Sequence, residues 1–157
     1  MWHIVPNRRD GEWTGDWHLQ ELIQCDSHGE PRHFAVSSTI AEVADRATLR
    51  HIRRALLLAR AAGIPPVITQ GQKQVEAWKG HCSGETKEST FFVLKAKPTE
   101  WRFYAIADMH LGVMTFILAV QKKTNKRDRD DFEQCCRAAR RFREGAQCAD
   151  LARFLDM

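Results

Sequence analysis

The residues best suited to chemistry stand in one stretch of the chain. Lys95, Lys97 and Arg102 flank a turn between two strand-like runs, and Lys122, Lys123, Lys126 and Arg127 directly follow a third. In a meander, the end of the first strand, the start of the second and the end of the third share one edge. The spacing therefore predicts that these cations converge on one rim. Trp101 and Tyr104 stand beside them, and aromatic faces next to cations suit base stacking. His110 falls in the opposite turn, away from that rim. Taken singly, each residue also has a plainer reading. Arg102 can pair with Glu100 or Asp108 at the surface, the 122–127 run can be a solvated loop, and Trp101 and Tyr104 can be packing residues.

The elements that must position this rim follow from periodicity. Phe91–Lys95, Trp101–Ala107 and Val113–Val120 read as strands, with Asp108–Gly112 as a turn. Phe34–Val36 reads as a short strand, after which Ser37 or Ser38 caps a helix. From Thr39 to Ala62 apolar residues recur at three- and four-residue steps, with a break near Asp45–Thr48. A last long helix starts near Asp128–Asp131, whose acids suit a helix N-terminus, and ends at Gly145. Cys148–Leu155 forms a short helix, while 64–88 is a connector with at most a turn at Val75–Lys79. Residues 1–33 read as irregular, with one or two helical turns at His18–Gln24. They carry three of the five tryptophans, so they pack on the rest as an extension. The division expected is an extension (1–33), a core (34–144) and a C-terminal flank (145–157). The fold class expected is α+β: an N-terminal helical hairpin, an antiparallel three- to four-stranded sheet and a C-terminal helix, with the helices on one face.

The chain has 157 residues, 43% hydrophobic and 28% charged, which excludes a mostly disordered chain, a collagen and a small disulfide scaffold. Its longest apolar stretches are far shorter than the ~20 residues of a membrane span, and no secretory signal pattern opens it, so the location expected is cytoplasmic, with no membrane partner. Net charge is only +4, but residues 87–144 hold 13 Lys and Arg against 8 Asp and Glu, so the rest of the chain nets −1. Such a basic half suits nucleic acid or is a solvated helical face. Five cysteines with no CxxC, two of them adjacent at 135 and 136, fit free thiols in a reducing compartment better than a zinc site or a simple disulfide. No metal and no cofactor is expected.

Three pieces in order resemble the RelE/HigB-like toxins of type II toxin–antitoxin modules. Leu94–Lys97 leads into Trp101-Arg102-Phe103-Tyr104, the family's aromatic–Arg–apolar–Tyr strand. Met114–Val120 is an apolar strand. Lys122-Lys123-Thr124 with Lys126 is similar to the family's Lys-Lys-Thr-Gln-Lys-Thr-Pro signature, before a helix with an acidic start. The match covers about 50 residues well and about 100 loosely. The resemblance implies the RelE-like version of the fold above and a metal-independent endoribonuclease that cuts mRNA, often on the ribosome. It also implies a cognate antitoxin of helix-turn-helix type. Arg102 then matches the arginine at the scissile phosphate. Lys95 matches a basic residue of the preceding strand, and Lys122 and Lys123 match those after the long strand. The catalytic set expected is Arg102, Lys95 and Lys123. Lys97, Trp101, Tyr104, Lys122, Lys126 and Arg127 are expected to bind RNA.

The chemistry makes its own demands. The 2′-hydroxyl attacks the adjacent phosphate, and fixed cations stabilise the charge that grows on phosphorus. A base must take the 2′-proton and an acid must supply the leaving oxygen. Where some members of the family carry a tyrosine or histidine near the last helix, this chain has Phe132, and Arg127-Asp128 replaces Thr-Pro. Two alternatives stay open on the same resemblance. One is a ParE-like inhibitor of DNA gyrase. The other is a phage-derived nucleic-acid- or protein-binding module without catalysis.

Overall fold

Phe91-Phe92-Val93-Leu94 is apolar without alternation, and such a run must be covered on both faces. The computed structural model describes residues 16–43, 45–62, 75–122 and 129–155, and it meets that demand with three layers. In chain order the elements are β1 (His18–Cys25), β2 (Pro31–Phe34), α1 (Ser37–Glu42), α2 (Arg46–Ala62), β3 (Val75–His81), β4 (Glu88–Lys95), β5 (Trp101–Asp108), β6 (Val113–Gln121), α3 (Arg129–Arg143), β7 (Cys148–Asp150) and α4 (Ala152–Leu155). The strands form one mixed sheet in the order β2-β1-β6-β5-β4-β3, with β7 also paired to β1.

This corrects the fold class expected from sequence. Two strands precede the helices, so there is no N-terminal helical hairpin leading a short antiparallel sheet. The meander has four strands, β3 to β6, and β1 lies parallel to β6, with His18 opposite Val113 and Glu21 opposite Phe116. Helices cover both faces rather than one. On one face Ile52, Leu56 and Ala59 of α2 and Leu155 of α4 pack on Leu19, Leu94, Phe103 and Phe116. On the other, Phe132, Cys135, Cys136 and Ala139 of α3 pack on Leu22, Phe91, Val93, Tyr104 and Ile117.

Residues 18–25 were expected to be irregular or helical, because Gln20, Glu21 and Gln24 break any clean alternation. They form a strand paired with β2, β6 and β7, and within it Glu21 is buried. Its carboxylate accepts from the backbone N–H of Val36 and Ser37, each at 2.9 Å, and from the Ser37 hydroxyl. A carboxylate at the N-terminus of α1 satisfies donors that a helix leaves unpaired. The cap of α1 therefore comes from a neighbouring strand, not from Ser37 or Ser38. The predicted strand at 34–36 is instead β2, ending at Phe34. The first helix ends at Glu42 with Val43 as its C-cap, and α2 starts at Arg46.

Three further expectations fail locally. Residues 75–81 are the edge strand β3 rather than a turn in a connector. The 148–155 segment is a strand followed by one turn of helix. Cys82 and Cys136 are joined by a disulfide, with Cα atoms 5.7 Å apart, where free thiols were expected. The bond ties the end of β3 to the middle of α3. Tight packing backs it: a Cβ added at Gly80 would stand 2.7 Å from the Phe132 ring, so glycine is what lets the strand approach the helix. Gly145, at φ +92°, ends α3 as expected, its N–H donating to Phe142 O while Ala146 N–H reaches Arg141 O. No helix among the described residues is long and apolar enough to cross a membrane.

Candidate functional site

β4 ends and β5 begins at the same edge of the sheet, where Lys95 and Arg102 are direct partners across the antiparallel ladder. Arg102 is in turn opposite Val120 of β6, and Lys122 follows β6 at once, its N–H donating to Glu100 O at 2.8 Å. Side chains alternate along a strand. Lys95 therefore shares a face with Phe91 and Val93, and Arg102 shares it with Tyr104. That is the α3 face. Asp131, in the first turn of α3, comes down onto it.

The result is a layer of charges under the start of α3. Lys122 Nζ lies 2.7 Å from Asp131 Oδ2, with side chains 10% and 7% exposed. The Tyr104 hydroxyl donates to the same carboxylate oxygen at 3.3 Å. Lys95 Nζ lies 2.8 Å from Glu76 Oε1 on β3, the lysine 9% and the glutamate 46% exposed. Arg102 is also buried. Burial pushes the Tyr104 hydroxyl well above its usual range, and the neighbouring Asp131 charge adds to that, while Arg102 opposes it. The Cys135 thiol is pushed up by the same two causes, burial first and Asp131 second. Both groups are therefore neutral, and the Tyr104 proton is held by Asp131.

Buried charges persist only when paired and hydrogen-bonded, and such pairs are weak sources of stability compared with an apolar core. They are also the environment in which enzymes keep acids, bases and anion-binding cations. The cluster sets three cations, Lys95, Arg102 and Lys122, beside the carboxylates of Glu76 and Asp131. Cations held in a low-dielectric layer act on an anion more strongly than surface lysines do.

The structure brings together Lys95, Arg102, Tyr104 and Lys122 of the residues singled out from sequence. Of the other described ones, it sets Trp101 and Lys97 apart. Trp101 precedes Arg102 on the strand and so faces the opposite way, half-buried against the α2 side. Lys97 is exposed in the turn after β4. Lys123, Lys126 and Arg127 lie outside the described residues. Tyr104 is no stacking platform for a base: its ring is buried against Trp78, centroids 5.9 Å apart. His110 is at the far end of the sheet, by a cavity of about 740 Å³ between Asp108, Leu111 and Phe142.

Two members of the cluster went unrecognised. Asp131 was legible only as a helix-start acid, which it also is. Glu76 stands in a segment that read as a turn, so nothing in the sequence set it opposite Lys95. Phe132, where a proton-transferring side chain was sought, is buried against Trp78 and Phe91. Among the described residues no three His, Cys, Asp or Glu side chains gather as metal ligands. Compared with known proteins, the chain matches no family model, no curated protein and no solved structure.

Proposed function

We propose that this protein acts on RNA as an endoribonuclease, the toxin of a type II toxin–antitoxin module restrained by a cognate antitoxin. One observation carries the reading: Lys95, Arg102 and Lys122 converge with two carboxylates and a neutral tyrosine on one face of the sheet edge. In the reaction, the 2′-oxygen attacks the adjacent phosphorus and the bond to the 5′-oxygen breaks. The products are a 2′,3′-cyclic phosphate and a 5′-hydroxyl. Arg102, which keeps its charge throughout, and Lys95 neutralise the oxygens of the five-coordinate phosphorus. Glu76, the most exposed carboxylate of the cluster, takes the 2′-proton, and Lys122 returns one to the leaving oxygen.

A second reading is binding without cleavage. It is favoured by the ion pairs themselves, since Lys95 and Lys122 are each already held by a carboxylate. Inducible expression of the full chain without an antitoxin, followed by mapping of RNA ends, separates the two. New 5′-hydroxyl ends that disappear with Arg102→Gln support the nuclease. Intact RNA, with oligonucleotide binding that weakens at least tenfold in Arg102→Gln, replaces it with the binding module. Intact RNA and no binding overturns both.

A further inference from the structure

Trp101 was expected beside Arg102, and the alternation of β5 sends it to the opposite face. There it lines a second cavity, of about 400 Å³, at the same edge of the sheet. The cavity lies between the first turns of α2 and the turn that joins β4 to β5. Thr48 and His51, one helical turn apart on α2, form one wall; Thr99, Glu100, Trp101 and Gln121 form the other. Its size falls in the usual range for small-molecule sites, ~300–1,000 Å³.

The lining is of two kinds. Trp101 and His51 offer flat rings, which suit the face of a heterocycle. Glu100 and Gln121, both exposed, offer an edge: the Gln121 amide donates to Glu100 Oε2 at 3.3 Å, next to Trp101 in the chain. A carboxylate within the cavity disfavours a phosphate there and favours a pair of N–H donors. Around the cavity the charge reverses. Arg46, Arg50 and Arg54 form an exposed row at four-residue steps on the adjoining stripe of α2, a helix with no acidic residue, and Lys97 is exposed at the far side. Cations outside and a carboxylate within match a nucleotide that enters base first.

We propose that this cavity is a nucleobase site whose preferred ligand is guanine in a single-stranded RNA. It rests on the reading of the protein as one that acts on RNA, and names the base that is held while the backbone passes the Arg102 face. Guanine presents N1–H and N2–H together on its Watson–Crick edge, and one carboxylate accepts both. Adenine presents an acceptor at N1, which faces the Glu100 carboxylate unfavourably. The pyrimidines cover less of the indole.

Calorimetric titration of the full chain with GMP, AMP, CMP, UMP and ribose 5-phosphate tests this. GMP is expected to bind at least tenfold more tightly than the other four, and Glu100→Gln, an exposed substitution, to remove that preference. His51→Ala is expected to weaken all four nucleotides without changing their order, since it removes a stacking face. Arg102→Gln is expected to keep the GMP preference, whatever it does to RNA cleavage. A GMP preference in a protein that cuts no RNA retains the base site while the nuclease reading falls. Equal affinity for GMP and ribose 5-phosphate, no binding, or a GMP preference untouched by Glu100→Gln overturns the base site, even if RNA is cut.

Discussion

At the start of β5 the two faces of the sheet are built from opposite materials. On the α3 face, Lys95, Arg102, Lys122 and Asp131 are buried and locked to partners, under a helix stapled down by a disulfide. On the α2 face, Trp101, Thr48 and His51 are half-buried around an open cavity with exposed arginines beside it. One residue of sequence separates Trp101 from Arg102, and the pleat of the strand does the rest. The difference teaches where precision is needed. Charge stabilisation of a reacting group depends on rigid, desolvated cations. Recognition of a base depends on a reachable ring and a fixed edge.

The comparison breaks most easily at Asp131. Asp131→Ala leaves Lys122 buried without its carboxylate and takes the acceptor from the Tyr104 hydroxyl. Removing one partner of a buried pair typically destabilises by about 3–5 kcal/mol. On the α2 face His51 makes no hydrogen bond or ion pair among the described residues, and His51→Ala is expected to stay within about 1 kcal/mol. Chemical denaturation of the two variants measures the contrast. If Asp131→Ala proves as mild as His51→Ala, water already reaches the cluster and the cations are not desolvated.

The disulfide comes next. It closes a loop of 54 residues between Cys82 and Cys136, and constraint of the unfolded chain on that scale is worth about 4 kcal/mol in the loop-entropy view, with measured values mostly about 2–4. The double variant Cys82→Ala, Cys136→Ala is expected to lose that much stability. Hydrogen exchange is expected to speed up on α3 and β3 before it does on α2. Uniform acceleration over both helices would show that the two faces unfold as one unit.

These contrasts explain what was legible in the sequence. β4, β5 and β6 carry long apolar runs, so the strands and their shared rim could be read directly, and Lys95, Arg102 and Lys122 do meet there. The carboxylates that hold them could not be read. Glu76 meets Lys95 only because β3 is a strand, and Val75–His81 hides that behind Lys79 and Gly80. Likewise the parallel pairing of β1 with β6 joins Gln20 to Thr115, 95 residues apart, and no local pattern encodes such a contact. The position of Trp101 was different. The period of two along a strand already put Trp101 and Arg102 on opposite faces, so the signal was present and the shared edge obscured it. Cys82 and Cys136 show the reverse case: their spacing carries no motif, and only the packing of α3 on β3 brings them together.

The smallest effect is a pH dependence confined to the α3 face. Burial, and next to it the Asp131 charge, raises both the Tyr104 hydroxyl and the Cys135 thiol in the folded protein. In the unfolded chain they ionise near their ordinary values of 10 and 9. The unfolded state thus sheds protons first as pH rises, so the stability these groups confer is complete below about pH 8 and declines above it. Between pH 8 and 10 the expected loss is about 2 kcal/mol, mostly from Cys135. Among the described residues, the α2-side core contains no thiol or phenol. Urea denaturation across that range should therefore give a falling curve for the native protein, and a shallower one for Cys135→Ala even if that variant is less stable throughout. A slope that survives Cys135→Ala unchanged would place the titrating group elsewhere and remove the chemical asymmetry between the two faces.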